Sequence, residues 1–177
     1  VNKVITKRSL KWFGQFHQLS ALPRVDPCGD GCNSGAREDF TACIRISGRT
    51  MTRCIFYRGV VNQKLGDDRA ALKDYSRAIR FRPGYYDIWH YRGDLHYKLE
   101  EYHAAAGDYR KMTEIKPDDP VAHRKLGKAL VKLGDDGAAR QAFGKSLEVA
   151  PVDWKWRRDV QRRLLDISQR EPTGAAP

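Results

Sequence analysis

Residues of the same type recur at intervals of 34 positions between Thr52 and Asp153. Five sets keep this interval across three consecutive units: Leu65, Leu99 and Leu133; Gly59, Gly93 and Gly127; Ala71, Ala105 and Ala139; Tyr75, Tyr109 and Phe143; and Pro83, Pro117 and Pro151. Self-similarity at such a period is the sequence signature of repeat architectures, in which each unit packs against its neighbours. The interval therefore constrains the fold more strongly than length or composition does.

Each unit has the sequence pattern of two antiparallel helices. In the first unit we expect them at about Arg53–Leu65 and Arg69–Phe81, joined by Gly66 and two aspartates. Glycine can end a helix in the left-handed conformation, and aspartate suits the start of the next helix. The middle unit has Glu100 in place of this glycine, so we expect its turn to be less favourable.

The unit resembles the tetratricopeptide repeat. That family has a small residue near the middle of the first helix and another early in the second, then an aromatic residue four positions on and a closing proline. The middle unit carries most of this signature, with Trp89, Gly93, Ala105, Tyr109 and Pro117.

The other units depart from the family pattern at single positions. Ile55 and His123 stand where the first and third units would have the aromatic residue of the first helix. Met112 and Ser146 replace the small residue that Ala78 supplies in the first unit. Ser146 puts a hydroxyl where close helix packing is expected, so these changes affect local packing and not the choice of family.

The resemblance implies an all-α fold, a right-handed superhelical α-solenoid of helix-turn-helix units. It also implies a non-catalytic binding scaffold. The expected organisation is an irregular segment at 1–34, a degenerate half-repeat cap at 35–51, full units at 52–85, 86–119 and 120–153, a capping helix at 154–169 and a flexible tail at 170–177.

Both ends of the repeat array carry residues suited to covering it. Phe40 and Cys43 occupy the positions that an aromatic and a small residue take in a second helix. After the last proline, an apolar stripe at helical spacing is expected to cover the final unit, because terminal repeats expose an apolar face. Its residues are Trp154, Val160, Leu164 and Ile167.

Composition and motifs exclude several function classes. No run of 18 apolar residues occurs, so we expect no membrane span, and no secretory signal is visible. No glycine-rich phosphate loop, nucleophile elbow or metalloprotease motif is present. The histidines lack the three or four convergent ligands that a metal site needs. We therefore expect no catalytic residue, no cofactor and no metal.

The four cysteines allow three interpretations. The segment containing Cys32 and Cys43 looks like the N-terminal half-repeat of exported proteobacterial repeat proteins, and this likeness implies a Cys32–Cys43 disulfide in a periplasmic or secreted chain. Alternatively all four are reduced thiols in a cytoplasmic protein, with Cys43 and Cys54 buried as small hydrophobic residues. A zinc site is the third reading, but the spacing of Cys28, Cys32, Cys43 and Cys54 fits no common finger.

The resemblance also implies a binding groove, because first helices line the inner face in this family. The carried-over positions are Phe56, Tyr57, Val60 and Lys64 in the first unit; His90, Tyr91, Asp94, Tyr97 and Lys98 in the second; and Arg124, Lys125, Lys128, Val131 and Lys132 in the third. This face is aromatic at its N-terminal end and basic at its C-terminal end, which favours a partner protein or peptide that is acidic and has an apolar anchor. The competing interpretation is a set of solvated helix faces.

Some family members clamp the terminal carboxylate of chaperones with lysines and asparagines. The matching positions here hold Phe56, Val60 and Tyr91, and only Lys125 fits that pattern. The sequence therefore argues against recognition of chaperone tails.

A nucleic-acid-associated protein is the alternative function. The formal net charge is +11, of which residues 1–50 contribute +4, residues 51–119 contribute +2 and residues 120–177 contribute +5. Trp154 and Trp156 lie among the arginines of the last helix, as binding of single strands would require. Trp154 is better explained as core, so we expect a protein partner and no nucleic acid.

Overall fold

The computed structural model describes residues 30–46 and 51–170, with the side chains of residues 30–34, 46 and 170 excepted. Within these ranges it contains eight α-helices and no strand. The helices are α1 (Asp30–Ile46), α2 (Met51–Lys64), α3 (Asp68–Phe81), α4 (Tyr86–Lys98), α5 (Tyr102–Ile115), α6 (Pro120–Lys132), α7 (Asp136–Val149) and α8 (Arg157–Arg170). The expected all-α fold of the α-solenoid class is confirmed.

The chain divides into two compact units, Val1–Ile88 and Trp89–Pro177, which are distinct from the three 34-residue repeats, and each is described by itself. Residues 1–29, 47–50 and 171–177 lie outside the described residues. They include Cys28, most of the segment expected to be irregular and nearly all of the expected tail. The side chain of Cys32 also lies outside the description, although its backbone belongs to α1.

In the first unit, α1 begins earlier than the sequence suggested. The expected boundary of the cap was Gly35, but the helix begins at Asp30, so residues 30–34 are helical. Glycines cost a helix only about 1 kcal/mol each, and packing of an apolar face outweighs that cost. Here Ala36 and Phe40 of α1 are buried against Val61 of α2, which supplies that packing.

A disulfide joins α1 to α2, and its pairing corrects the one expected. Cys43 is bonded to Cys54, with 6.2 Å between the Cα atoms, and not to Cys32. Cys54 is fully buried in the core that α1 and α2 share, while Cys43 is partly buried against the same core. The helical register of α1 thus turns Cys43 toward α2, and a sulfur atom can form only one disulfide.

Within each repeat the two helices approach closely at a glycine. A Cβ added to Gly59 of α2 would lie 2.8 Å from the ring of Tyr75 of α3. In the second repeat, a Cβ added to Gly93 of α4 would lie 2.8 Å from the ring of Tyr109 of α5. In the third repeat, a Cβ added to Gly127 of α6 would lie 2.7 Å from the ring of Phe143 of α7. The glycine and aromatic sets of the 34-residue pattern are therefore the two sides of one helix–helix contact.

The turns between paired helices follow the sequence expectation. Gly66 and Gly134 have φ of +79° and +76°, and the following Asp67 and Asp135 accept hydrogen bonds from backbone N–H groups at the next helix start. Glu100 takes the same left-handed conformation with φ of +61°, which strains a residue that has a Cβ. The side chain of the next residue makes no capping hydrogen bond there, so this turn has neither advantage.

The first and second repeats each contain a buried ion pair that the third repeat lacks. Arg58 donates to both carboxylate oxygens of Asp74 at 2.5 and 2.9 Å, and Arg92 does the same to Asp108 at 2.6 and 2.9 Å. The carboxylates are nearly inaccessible, with side chains 7% and 5% exposed. In the third repeat the corresponding positions hold the apolar Leu126 and Ala142. Equivalent positions are thus filled by an ion pair in two repeats and by apolar side chains in the third.

Helix α8 covers the last repeat as expected, although it begins at Arg157 and not near residue 154. Val160 and Ile167 are buried in one cluster with Phe143 of α7, and Trp154 packs on that cluster from the turn before α8. Ser146 is also fully buried, and its hydroxyl donates to the carbonyl oxygen of Pro120 at 3.0 Å. The hydroxyl that raised doubt about packing is therefore satisfied by a hydrogen bond.

Replacing Asp108 with alanine should lower the free energy of unfolding by about 3 kcal/mol, because it leaves Arg92 without its buried partner. The double variant R92L/D108A introduces the residue types that the third repeat has at these positions, so its free energy of unfolding should lie within about 1 kcal/mol of wild type. Urea denaturation of the three proteins measures both effects. Equal destabilisation in the single and double variants would show that the unpaired arginine is not the cause.

Replacing Gly127 with alanine should destabilise the protein by about 1–2 kcal/mol, because the new methyl group meets the fully buried ring of Phe143. Gly144→Ala is the matched control, since its Cβ would meet nothing within 4 Å. Gly144 lies inside α7, so that change should stabilise by up to about 1 kcal/mol. Opposite signs of the two shifts in thermal midpoint are the expected result, and a shared sign would contradict it.

Candidate functional site: a basic cavity in the second unit

Three helices of the unit Trp89–Pro177 line a half-open cavity of about 270 Å³, here called the basic cavity. Four basic side chains and one carboxylate line it, together with two tyrosines. The lining residues are Asp94, Tyr97 and Lys98 of α4, Tyr109 of α5, and Arg124, Lys125 and Lys128 of α6. Six of these seven were among the groove positions carried over from the family.

Tyr109 was not among those positions. The sequence marked it as the repeat's packing aromatic, and its ring does pack on Gly93. Its hydroxyl, however, donates to Asp94 Oδ1 at 2.7 Å and so contributes to the cavity wall. The sequence contains a signal for this role, because the third repeat has Phe143 at the equivalent position and therefore lacks the hydroxyl.

The Asp94 carboxylate is held by several side chains. Lys125 Nζ contacts its two oxygens at 2.6 and 2.8 Å, and His90 Nε2 lies 3.2 Å from Oδ2. Burial alone would raise the pKa of Asp94, but the hydrogen bond with His90 and the charge and hydrogen bond of Lys125 hold that pKa well below its usual range. Because Asp94 raises the energy of a tyrosinate beside it, burial and this carboxylate together raise the pKa of Tyr109. Asp94 is therefore ionised and already neutralises Lys125.

Arg124 is the most buried cation of the cavity, with 8% of its surface exposed. Its guanidinium carbon lies 4.1 Å from the centroid of the Trp156 ring, and one terminal nitrogen contacts Asp159 at 3.4 Å. Its Nε is buried without an acceptor among the residues the structure describes. A buried donor without a partner costs about 1–3 kcal/mol, so the surroundings of the Arg124 guanidinium satisfy it only in part.

Lys128 has a different deficit. Its Nζ lies 5.3 Å from the centroid of the Tyr97 ring, but it makes no ion pair with a carboxylate in the described part of the chain. Burial lowers the pKa of Lys128, and the positive charges of Arg124, Arg163 and Lys125 lower it further. The cavity therefore holds a cation whose charge is poorly compensated.

The capping helix α8 contributes to this electrostatic arrangement. Arg163 Nε contacts both oxygens of Asp159 at 3.1 and 3.2 Å, so Asp159 is shared between Arg163 and Arg124. Burial would raise the pKa of Asp159, but Arg163 and Arg124 lower it overall. Asp159 thus contacts two arginines and makes no ion pair with Lys128.

The remaining groove positions are distributed as follows. In the second unit, the ring of Tyr91 lies 5.8 Å from that of His90, and exposed Lys132 lies 5.8 Å from the ring centroid of Tyr102. In the first unit, Tyr57 is half-buried and Lys64 is exposed. Phe56 and Val60 are 4% and 8% exposed, so as packed they offer little surface to a partner.

Two further classes of site are absent from the described residues. No group of three or more histidine, cysteine, aspartate or glutamate side chains in those ranges could hold a metal ion. None of the described helices has the length and apolar character needed to cross a membrane.

Two family models match the chain within the second unit. A model described as TPR repeat matches residues 93–134, and one described as Tetratricopeptide repeat matches residues 125–153. The chain contains tetratricopeptide repeats. No curated protein matches this chain.

Solved structures of tetratricopeptide repeats have the same fold. A tetratricopeptide repeat protein from Parabacteroides merdae is 23% identical with a TM-score of 0.72, covering 78% of this chain and 55% of its own. The first TPR of Spaghetti (RPAP3), bound to the HSP90 peptide SRMEEVD, is 19% identical with a TM-score of 0.58, covering 67% and 90%. The TPR2B domain of yeast Sti1, in a pHsp70 complex, is 19% identical with a TM-score of 0.59, covering 67% and 96%.

These repeats are generally a non-catalytic scaffold for protein interaction, and this chain has that fold. At such identities the likeness shows the fold alone. The chain also spans little more than half the length of the Parabacteroides merdae protein.

The substitution Asp94→Asn should lower the thermal midpoint at neutral pH, because it removes the carboxylate that holds Lys125 and His90. Since the pKa of Asp94 is lower in the folded chain, its contribution is fully present above the unfolded value of about 3.9 and is lost as pH falls below it. The difference in midpoint between wild type and variant should therefore shrink from about pH 6 to about pH 3.

The control is Asp118→Asn, an identical change at an exposed position in the turn after α5. Its difference from wild type should stay nearly constant over the same range. A constant difference for Asp94→Asn as well would contradict the assignment of an ionised, stabilising Asp94.

Proposed function

We propose that this chain is a protein-interaction scaffold whose second unit binds an acidic segment of a partner protein in the basic cavity. The observation that carries the proposal is the poorly compensated positive charge of Lys128 beside Arg124. Both side chains line a cavity that has four basic residues and a single carboxylate. That carboxylate, Asp94, is already paired with Lys125.

Burial of these cations separates the cavity from an ordinary solvated helix face. Exposed lysines on helices gain little from pairing with an acid, because water screens the interaction. Arg124 is more than nine-tenths buried, and burial is the largest cause of the lowered pKa of Lys128. An acidic side chain entering the cavity would meet charges that are partly withdrawn from water, so each contact would contribute more than on the open surface.

Tyr97 supports the expectation of an apolar anchor beside the acidic group. Its ring is half-buried at the cavity and lies 5.3 Å from that of Tyr102. Aromatic side chains offer large contact areas at a small entropic cost, which is why they are enriched among the residues that dominate binding. An acidic segment with a neighbouring aliphatic or aromatic residue therefore suits this surface.

The peptide-bound relatives support the class of function but not the identity of the partner. The HSP90 peptide bound to Spaghetti contains three acidic residues within SRMEEVD. This chain has Phe56, Val60 and Tyr91 where chaperone-tail clamps carry their lysine and asparagines. We infer an acidic partner with a different recognition pattern.

Selection from a random peptide library displayed on phage tests the proposal. Wild-type protein should enrich peptides with aspartate and glutamate next to an apolar residue. Lys128→Glu should lose that enrichment and bind a recovered peptide about tenfold or more weakly, because it places a negative charge in the cavity. The control Lys111→Glu changes net charge equally on the exposed face of α5 and should bind as wild type does. Enrichment without acidic residues, or no effect of Lys128→Glu, would disprove the proposal.

Nucleic-acid binding is the second candidate, because cations alternate with aromatic rings in this unit. Lys128, Lys132 and Arg124 each lie over a ring, those of Tyr97, Tyr102 and Trp156. Stacking platforms for single strands need open ring faces, whereas these rings each have a face covered by the protein's own cation. The same protein titrated with poly(dT) decides the matter, since binding that weakens with a log–log salt slope of about 0.7 per phosphate would support this alternative.

A further inference from the structure

The basic cavity has more positive charge than one carboxylate can neutralise. Lys98, Arg124, Lys125 and Lys128 line it, Asp94 is the carboxylate of that lining, and Asp159 contacts Arg124 from α8. A single acidic side chain from a partner brings one negative charge. A phosphate monoester brings about −1.5 to −2 charge at neutral pH and three strong acceptor oxygens.

The donors also match a phosphate better than a carboxylate. Arg124 contacts Asp159 through one terminal nitrogen at 3.4 Å, and Lys128 makes no ion pair with a carboxylate in the described residues. A phosphate monoester offers three oxygens to the three N–H donors of the Lys128 ammonium group and to the Arg124 guanidinium beside it, whereas a carboxylate offers two.

The other carboxylates of the region are committed elsewhere. Asp94 is held by Lys125, His90 and Tyr109, and Asp159 lies between Arg124 and Arg163. Neither can turn to Lys128 without giving up existing partners. Lys128 is therefore left without an ion pair among the described residues, while both carboxylates contact other side chains.

We propose that the basic cavity is a seat for the phosphate group of a phosphorylated side chain on the partner, with Lys128 and Arg124 as its principal donors. This proposal rests on the proposed function, since it specifies which acidic group the same cavity takes. It predicts a preference for a dianionic phosphate monoester over a carboxylate that the binding of acidic segments alone does not require.

Three small probes test it: N-acetyl-O-phosphoserine amide, N-acetyl-glutamate amide and inorganic phosphate, at constant ionic strength and about pH 7.5, where the second phosphate proton is lost. The side-chain ¹H–¹³C signals of Lys128 and Arg124 are followed by NMR. The phosphoserine amide should shift these signals saturably and bind about fivefold or more tightly than the glutamate amide, because a dianion gains more from this cluster.

Two variants localise the effect. Lys128→Gln should weaken binding of the phosphoserine amide by about fivefold or more, as loss of a charge-assisted contact predicts. Lys111→Gln removes the same charge from the exposed face of α5, at a residue that does not line the cavity, so it should leave the affinity unchanged. Unchanged thermal midpoints would show that both variants remain folded.

The remaining outcomes overturn the proposal. Equal affinity for the phosphoserine and glutamate amides would mean that the cavity reads negative charge alone, and the proposed function would still stand. Binding of inorganic phosphate without the phosphoserine amide would point to free phosphate and not to a partner side chain. A non-saturable response, or one that Lys128→Gln does not alter, would exclude a phosphate site whatever the peptide library shows.

Discussion

The contact between a glycine and an aromatic ring sets the distance between the two helices of every repeat. A Cβ at any of the three glycines would lie 2.7–2.8 Å from a ring atom of the partner helix, closer than packed atoms tolerate. That proximity brings the polar side chains beside it within reach of one another. Arg92 can form two hydrogen bonds with Asp108, and Asp94 can accept one from Tyr109, because both pairs flank the Gly93 contact.

Most of the fold could be predicted because the same helix pair recurs in three repeats, so an error in interpreting one repeat is corrected by the other two. Helix ends follow from local chemistry at Gly66, Asp67 and Pro120. The N-terminal cap lacks such copies. There the sequence suggests an irregular segment up to residue 34, whereas the backbone of α1 includes residues 30–34 because an apolar face of this helix packs on α2.

The cysteine pairing failed for a related reason. A likeness to other proteins suggested Cys32 and Cys43, but the choice between Cys32 and Cys54 depends on which helix faces Cys43 in space. The helix that does so is α2, which carries Cys54 in the core that it shares with α1. Sequence spacing contains no information about that arrangement until the packing of α1 is known.

The candidate site is formed by positions at which the repeats differ. At one position of the first helix the three repeats have Val60, Asp94 and Lys128, which are apolar, acidic and basic in turn. The sequence could therefore predict the location of a groove and its overall sign. It could not predict which cations remain available, because pairs such as Lys125 with Asp94 join residues 31 positions apart. A count of charges treats every lysine of α6 alike, whereas the folded unit neutralises Lys125 and leaves Lys128 poorly compensated. In the proposed function, the few charges that the fold itself does not satisfy are the ones that select the partner.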